Sequence, residues 1–177
     1  MPISIEEYLA LPDVEEPTEL VRGEVVQKQF TYINHGIVCA NICLVLGECV
    51  QAERVGTGIA LHGVITRRNP DSLRTIDVGY YSKRRLPRNL ITDKHLPIMP
   101  EVLFEVISHD ETWQYILQKV TEFIEAGTFI ANILDPVAET VHVFQRDRPV
   151  QILRDTDELN LTTVIPGFHR PVCELFA

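Results

Sequence analysis

A single carboxylate sits in the middle of an apolar run, Val102-Leu103-Phe104-Glu105-Val106-Ile107-Ser108. The run is short, rich in Val, Ile and Phe, and follows Pro100, so it reads as a buried strand. Burying a charge without a partner is strongly unfavourable, whereas a paired, protonated or metal-bound carboxylate is tolerated. Glu105 therefore requires a partner from elsewhere in the chain, and any acceptable fold must deliver one.

The chain has 177 residues, which suits one domain over residues 1–177 with room for a real core. The longest apolar run, Ile37 to Leu46, is interrupted by Asn41 and is too short to span a bilayer. The opening Met-Pro-Ile-Ser-Ile-Glu-Glu lacks a basic and then apolar leader. The expectation is a cytoplasmic protein with no membrane partner. The net charge of −9 argues against a broad electropositive surface for nucleic acid. Local basic clusters remain at Arg67-Arg68 and Lys83-Arg84-Arg85 with Arg88, and both also fit solvated loops. Cys39, Cys43, Cys49 and Cys173 form no Cys-x-x-Cys pair, so buried free thiols are expected rather than a metal site.

Ser4 before Glu6-Glu7 predicts a capped short helix over Ile5 to Ala10. Glu19 to Val26 predicts a hairpin turning at Arg22-Gly23. A helix from Tyr32 to Gln51 is apolar on most sides, which predicts deep burial. Strands follow over Val55 to Ile65, Thr75 to Tyr81 and Val102 to Ile107, with a proline-rich loop from Ser82 to Pro100. An amphipathic helix from Glu111 to Ala126 ends at Gly127. Further strands are expected over Ala131 to Leu134, Thr140 to Phe144, Gln151 to Leu153 and Leu161 to Ile165. This order predicts an α/β (α+β) fold with helices packed on a sheet.

Strand alternation puts Asp77 on one face with Thr75 and Gly79, and Glu105 on one face with Leu103 and Ile107. If these two strands pair in the right register, the carboxylates meet. Convergent carboxylates suit Mg²⁺ or Mn²⁺, and such an ion activates water and polarises a phosphoryl oxygen. Lys119 lies at the edge of the apolar face made by Trp113, Ile116, Leu117, Val120, Phe123 and Ile124. From there it can reach a buried carboxylate and steady a charged transition state. Each residue has a plainer reading: Asp77 capping a turn or binding Arg74, Glu105 paired with an arginine, and Lys119 snorkelling at a boundary.

At these residues the chain resembles the bacterial domain-of-unknown-function proteins classed as restriction endonuclease-like, within the PD-(D/E)XK nuclease superfamily. Thr18 to Val26 matches that family's Glu-Leu-x-x-Gly-Glu hairpin, and His35 matches the histidine opening its first long helix. Arg74-Thr75-Ile76-Asp77-Val78 matches its Arg-x-Pro-Asp-Val strand, and Glu105-Val106-Ile107-Ser108 its Glu-Val-Leu-Ser motif. Lys119, Phe123, Ala126-Gly127 and Ile133-Leu134-Asp135-Pro136 follow in order, as do Ile165 to Phe168 and Glu174 to Phe176.

The resemblance implies a restriction-endonuclease-like core. Its mixed central sheet would be flanked by helices, with an N-terminal hairpin and extra C-terminal strands. It implies Asp77 and Glu105 as ligands of Mg²⁺ or Mn²⁺, and Lys119 as a catalytic lysine moved onto the helix, because Ile107 stands where the superfamily usually has it. Glu19 could add a carboxylate, and His35 could line the same cleft or serve only the helix start. Ile76 replaces the family's proline, and Ser108-His109-Asp110-Glu111 replaces Ser-Pro-Ser-Thr. Tyr115 stands where an aspartate is frequent, and Asn132 where tryptophan is.

The functional expectation is a metal-dependent DNA endonuclease. The alternatives are a catalytically inactive nuclease-fold binding or regulatory module, and a structural subunit in which Glu105 simply pairs with Lys119. A homodimer would suit cutting of both strands.

Overall fold

The computed structural model describes residues 1–12, 16–28, 32–91 and 97–177. Helix α1 (Ile5–Leu9) opens on a capping box: the Ser4 hydroxyl accepts the Glu7 amide, and the Glu7 carboxylate accepts the Ser4 amide. Strands β1 (Thr18–Val21) and β2 (Glu24–Gln27) form the N-terminal hairpin. Arg22 and Gly23 both take positive φ, 52° and 79°, as a two-residue turn matched to strand twist requires.

Helix α2 (Ile33–Glu53) leads into two long strands, β3 (Gly56–Arg67) and β4 (Ser72–Ser82). Strand β5 (Val102–Val106) is the apolar run carrying Glu105. Helix α3 (Trp113–Glu125) starts at Thr112, whose hydroxyl accepts the Tyr115 amide. Gly127 follows it with φ 114°, a backbone setting that favours glycine. Strands β6 (Ile130–Asp135), β7 (Thr140–Gln145) and β8 (Gln151–Arg154) complete the sheet.

The sheet order is β2-β1-β4-β5-β6-β7-β8, with β3 also paired to β4. Among the described residues only β5 and β6 run parallel; the other pairings of this sheet are antiparallel. The α3 crossover joins the parallel pair, since parallel neighbours need a long connection.

One hydrophobic cluster packs α2 residues Val38, Ile42 and Leu46 on Val78, Phe104 and Leu134. A second packs α3 residues Ile116, Val120 and Phe123 on Leu103, Ala131 and Ile133, and a small third joins Ile5 of α1 to Leu20 of β1 and Leu73 of β4. Helices therefore cover both faces, and the charged residues at the open end of β4 and β5 lie between α2 and α3.

Three expectations need correction. Leu161 to Ile165 is a turn, not a strand. Its Val164 and Ile165 amides donate back to the Leu161 carbonyl, and the Asn160 side chain accepts the Thr162 amide. Its apolar residues bury themselves as anchors in the α2-side core, and the small second sheet is instead β9 (Glu158–Asn160) with β10 (His169–Pro171).

Helix α2 is not deeply buried. Only 33% of its most apolar window is covered, and Ile37 and Leu44 are exposed. By length and composition alone it could cross a membrane; here Val38, Ile42, Val45 and Leu46 pack on the sheet. Of the four free cysteines only Cys49 is buried; Cys43 and Cys173 are exposed. A long apolar helix laid on one face of a sheet cannot hide every side, whatever its composition.

Candidate active site

Strand pairing brings Asp77 opposite Glu105. The backbone register between β4 and β5 runs through Val78–Phe104, Gly79–Leu103 and Tyr80–Val102, so the next facing position is Asp77 with Glu105. There the side chains take over from the ladder. The Asp77 amide donates to Glu105 Oε1 at 3.1 Å, and the Val106 amide donates to Asp77 Oδ2 at 2.9 Å. Both carboxylates are almost fully buried.

Helix α3 supplies the cation. Lys119 Nζ lies 2.5 Å from Glu105 Oε2 and 5.6 Å from the centre of the Phe123 ring. Lys119 is buried, at 4% exposure, so it is not a snorkelling boundary residue. The next turns of α3 pack Ile116, Val120 and Phe123 into the core, and this rotation holds Lys119 inward. Burial pushes the Glu105 carboxyl up to about 7, against the pull of Lys119. For Lys119, burial opposes the charge, but Glu105, Glu19 and Asp77 hold the ammonium above its ordinary value. Burial likewise opposes ionisation of Asp77, yet the His35 hydrogen bond and the Lys119 charge hold its carboxyl below the usual range.

Helix α2 supplies His35 from its first turn. His35 Nε2 is 3.1 Å from Asp77 Oδ2, and its Nδ1 is 3.5 Å from Cys39 Sγ. His35, Cys39 and Asp77 bring donor atoms within 4.8 Å of one another, a possible metal site. Glu105 is outside this three-residue group. Burial, with Asp77 nearby, pushes the Cys39 thiol up, so Cys39 stays protonated in the protein alone. Sequence reading missed Cys39 here; the available signal was its helical spacing of four from His35.

Asp77, Glu105, Lys119 and His35 all line one cavity of about 240 Å³, with Lys28 from β2's end and Tyr115 from α3. Glu19 is not among the described residues lining it. Glu19 Oε2 instead accepts from Arg74 at 3.0 Å, and its Oε1 accepts the Thr75 amide at 2.8 Å. Arg74 also donates to Glu122 at 2.9 Å and to the Tyr115 hydroxyl at 3.2 Å. So Arg74 binds Glu19, Glu122 and Tyr115, not Asp77, and β1 is tied through it to β4 and α3. Asn132, where the family often has tryptophan, is fully buried and donates to the Leu103 carbonyl at 3.1 Å.

A mixed sheet covered by helices on both faces, with a carboxylate pair and a lysine at its open strand ends, is a restriction-endonuclease-like architecture. The chain belongs to the family described as "Uma2: Putative restriction endonuclease", which it matches over residues 5–173. Its structure is similar to the crystal structure of a putative nuclease belonging to DUF820 from Anabaena variabilis ATCC 29413. That likeness has a TM-score of 0.87 at 20% identity, covering 99% of this chain and 98% of the other. No curated protein matches the chain. Family and fold thus support a nuclease.

Proposed function

We propose that the protein is a divalent-metal-dependent DNA endonuclease, with Asp77 and Glu105 as metal ligands and Lys119 as the catalytic lysine. The carrying observation is that all three side chains line one cavity. Buried carboxylates in an open-sided cavity suit Mg²⁺ or Mn²⁺. The bound ion would polarise a phosphoryl oxygen and lower the pKa of an attacking water.

The chain's own residues would do the rest. Asp77 is held ionised and ready to ligate. Glu105 gives up a proton near neutrality, and Lys119, released from part of its contact with Glu105, faces the negative charge that grows in the transition state. Lys28 offers a second cation on the cavity wall. DNA as the substrate rests on the family description.

The test is calorimetric titration of the wild type with Mg²⁺ and Mn²⁺ beside an Asp77→Ala/Glu105→Ala double variant, with plasmid cleavage assayed in parallel. Binding and cleavage that both vanish in the variant support the proposal. Cleavage that persists in the variant removes it.

The second reading is a nuclease-fold binding or regulatory module without turnover. It is favoured by the Lys119–Glu105 contact of 2.5 Å, which already satisfies one ligand oxygen. Turnover that disappears in Glu105→Gln would rule this reading out. As a homodimer the protein could cut both strands, and a second copy packed on the exposed Ile37 and Leu44 of α2 would remove that apolar face from water.

A further inference from the structure

The catalytic cavity shares His35, Ser108 and Glu111 with a second, larger groove of about 490 Å³. This groove is walled by Tyr32, His109 and Trp113, with Asn34 and Val137 among its other walls. The Tyr32 and His109 rings lie 5.8 Å apart, and Trp113 lies 4.5 Å from His142. Tyr32 is 53% and Trp113 39% exposed.

We propose that this groove is a nucleobase subsite, taking an unpaired base next to the phosphate held in the catalytic cavity. The inference rests on the nuclease reading of that cavity and narrows its substrate to strands with an unpaired nucleotide at the site. Three observations carry it. Aromatic faces stack on any base, and the groove is continuous with the cavity through three shared residues. No lysine or arginine is among its described lining residues, while Glu111 and Asp135 are. A phosphate is therefore unwelcome there, whereas carboxylates and the Asn34 amide can meet the amino and carbonyl edges of a base. The net charge of −9 points the same way, because a long duplex footprint needs many phosphate-neutralising cations.

Trp113 is the chain's sole tryptophan, so its fluorescence reports on the groove directly. The full chain is titrated, in Ca²⁺, with a single-stranded 12-nucleotide DNA, the same strand carrying abasic sites, and the matching duplex. The expected result is saturable quenching by the base-containing strand. The abasic strand and the duplex should bind about tenfold more weakly, and Tyr32→Ala should lose about tenfold for the single strand.

Equal binding of abasic and intact strands overturns the subsite. So does a fluorescence change that follows chain concentration alone, which would show a second copy filling the groove. Cleavage of the same strands is assayed in Mn²⁺ in parallel: cleavage in Mn²⁺ without quenching in Ca²⁺ overturns the subsite and leaves the nuclease, and quenching in Ca²⁺ without cleavage in Mn²⁺ supports the subsite and removes the nuclease.

Discussion

Asp77 and Glu105 face each other one position beyond the last backbone pair of β4 and β5, the Glu105 carboxylate accepting the Asp77 amide and the Asp77 carboxylate accepting the Val106 amide. The carboxylates thus close the sheet where its ladder opens. Each binds a buried backbone amide that would otherwise lose its partner, at about 1–3 kcal/mol. This makes alanine a harsh probe at either position and amides the better one. Asp77→Asn and Glu105→Gln should keep an acceptor oxygen for these amides, hold the melting temperature within a few degrees of wild type, and lower cleavage by about a hundredfold or more. Melting curves beside single-turnover cleavage check this; an active Asp77→Asn variant would sink the metal-ligand role.

Lys119 separates the nuclease reading from a purely structural one. Lys119→Met keeps the length of the side chain but leaves Glu105 without its ion pair. Breaking a buried pair costs about 3–5 kcal/mol, although a carboxyl already pushed to about 7 can protonate and soften that loss. The nuclease reading expects cleavage to fall by about a hundredfold even where the variant is folded. Stability and cleavage are measured on the same preparation. A stable, inactive variant counts against a structural role alone, and a stable, active one counts against catalysis.

Metal binding should release a proton, in a defined pH range. Glu105 is raised from 4.5 to about 7 in the folded protein. Its protonated form therefore favours the fold below the lower value, and that contribution is lost as the pH rises through about 7. A ligand carboxylate must be deprotonated, so Mn²⁺ binding at pH 6 should displace nearly one proton and tighten as the pH rises. At pH 8 it should displace almost none. Calorimetry in two buffers of different ionisation enthalpy reads this number, and Glu105→Gln should abolish the difference.

Arg74 is the structural counterpart of the site. It serves Glu19, Glu122 and Tyr115 while itself buried. Arg74→Met should leave the Glu19 carboxylate with the Thr75 amide and the more distant Lys28, and destabilise the protein by about 3–5 kcal/mol, more than Glu19→Gln. Denaturant unfolding of Arg74→Met against Glu19→Gln tests the ranking.

The exposed apolar face of α2 predicts self-association. Leu44→Glu places a charge on that face without touching the cavity. If two copies pack there, sedimentation should show a dimer for the wild type and a monomer for the variant, with a melting temperature that depends on concentration only in the wild type.

Much of the architecture was legible from neighbours along the chain. The Arg22-Gly23 turn, the amphipathic α3 and the apolar β5 with its misfit carboxylate are local patterns, set by residue type and by the periods of helix and strand. Alternation also put Asp77 and Glu105 on meeting faces once β4 lay beside β5. Other features depended on which elements became neighbours. Glu19 found Arg74 instead of the cavity because β1 reaches β4 at Leu20–Leu73. Lys119 became buried because α3 rolls onto the sheet, and Cys39 joined His35 and Asp77 because α2 starts over the end of β4. Leu161 to Ile165 turned where a strand was expected, since its apolar residues are buried in the α2-side core without strand pairing. The sequence by itself determined the elements and the need of Glu105 for a partner, because period and burial cost are properties of a segment; the tertiary structure alone decided which partner each buried charge received, because that depends on sheet order, register and helix rotation.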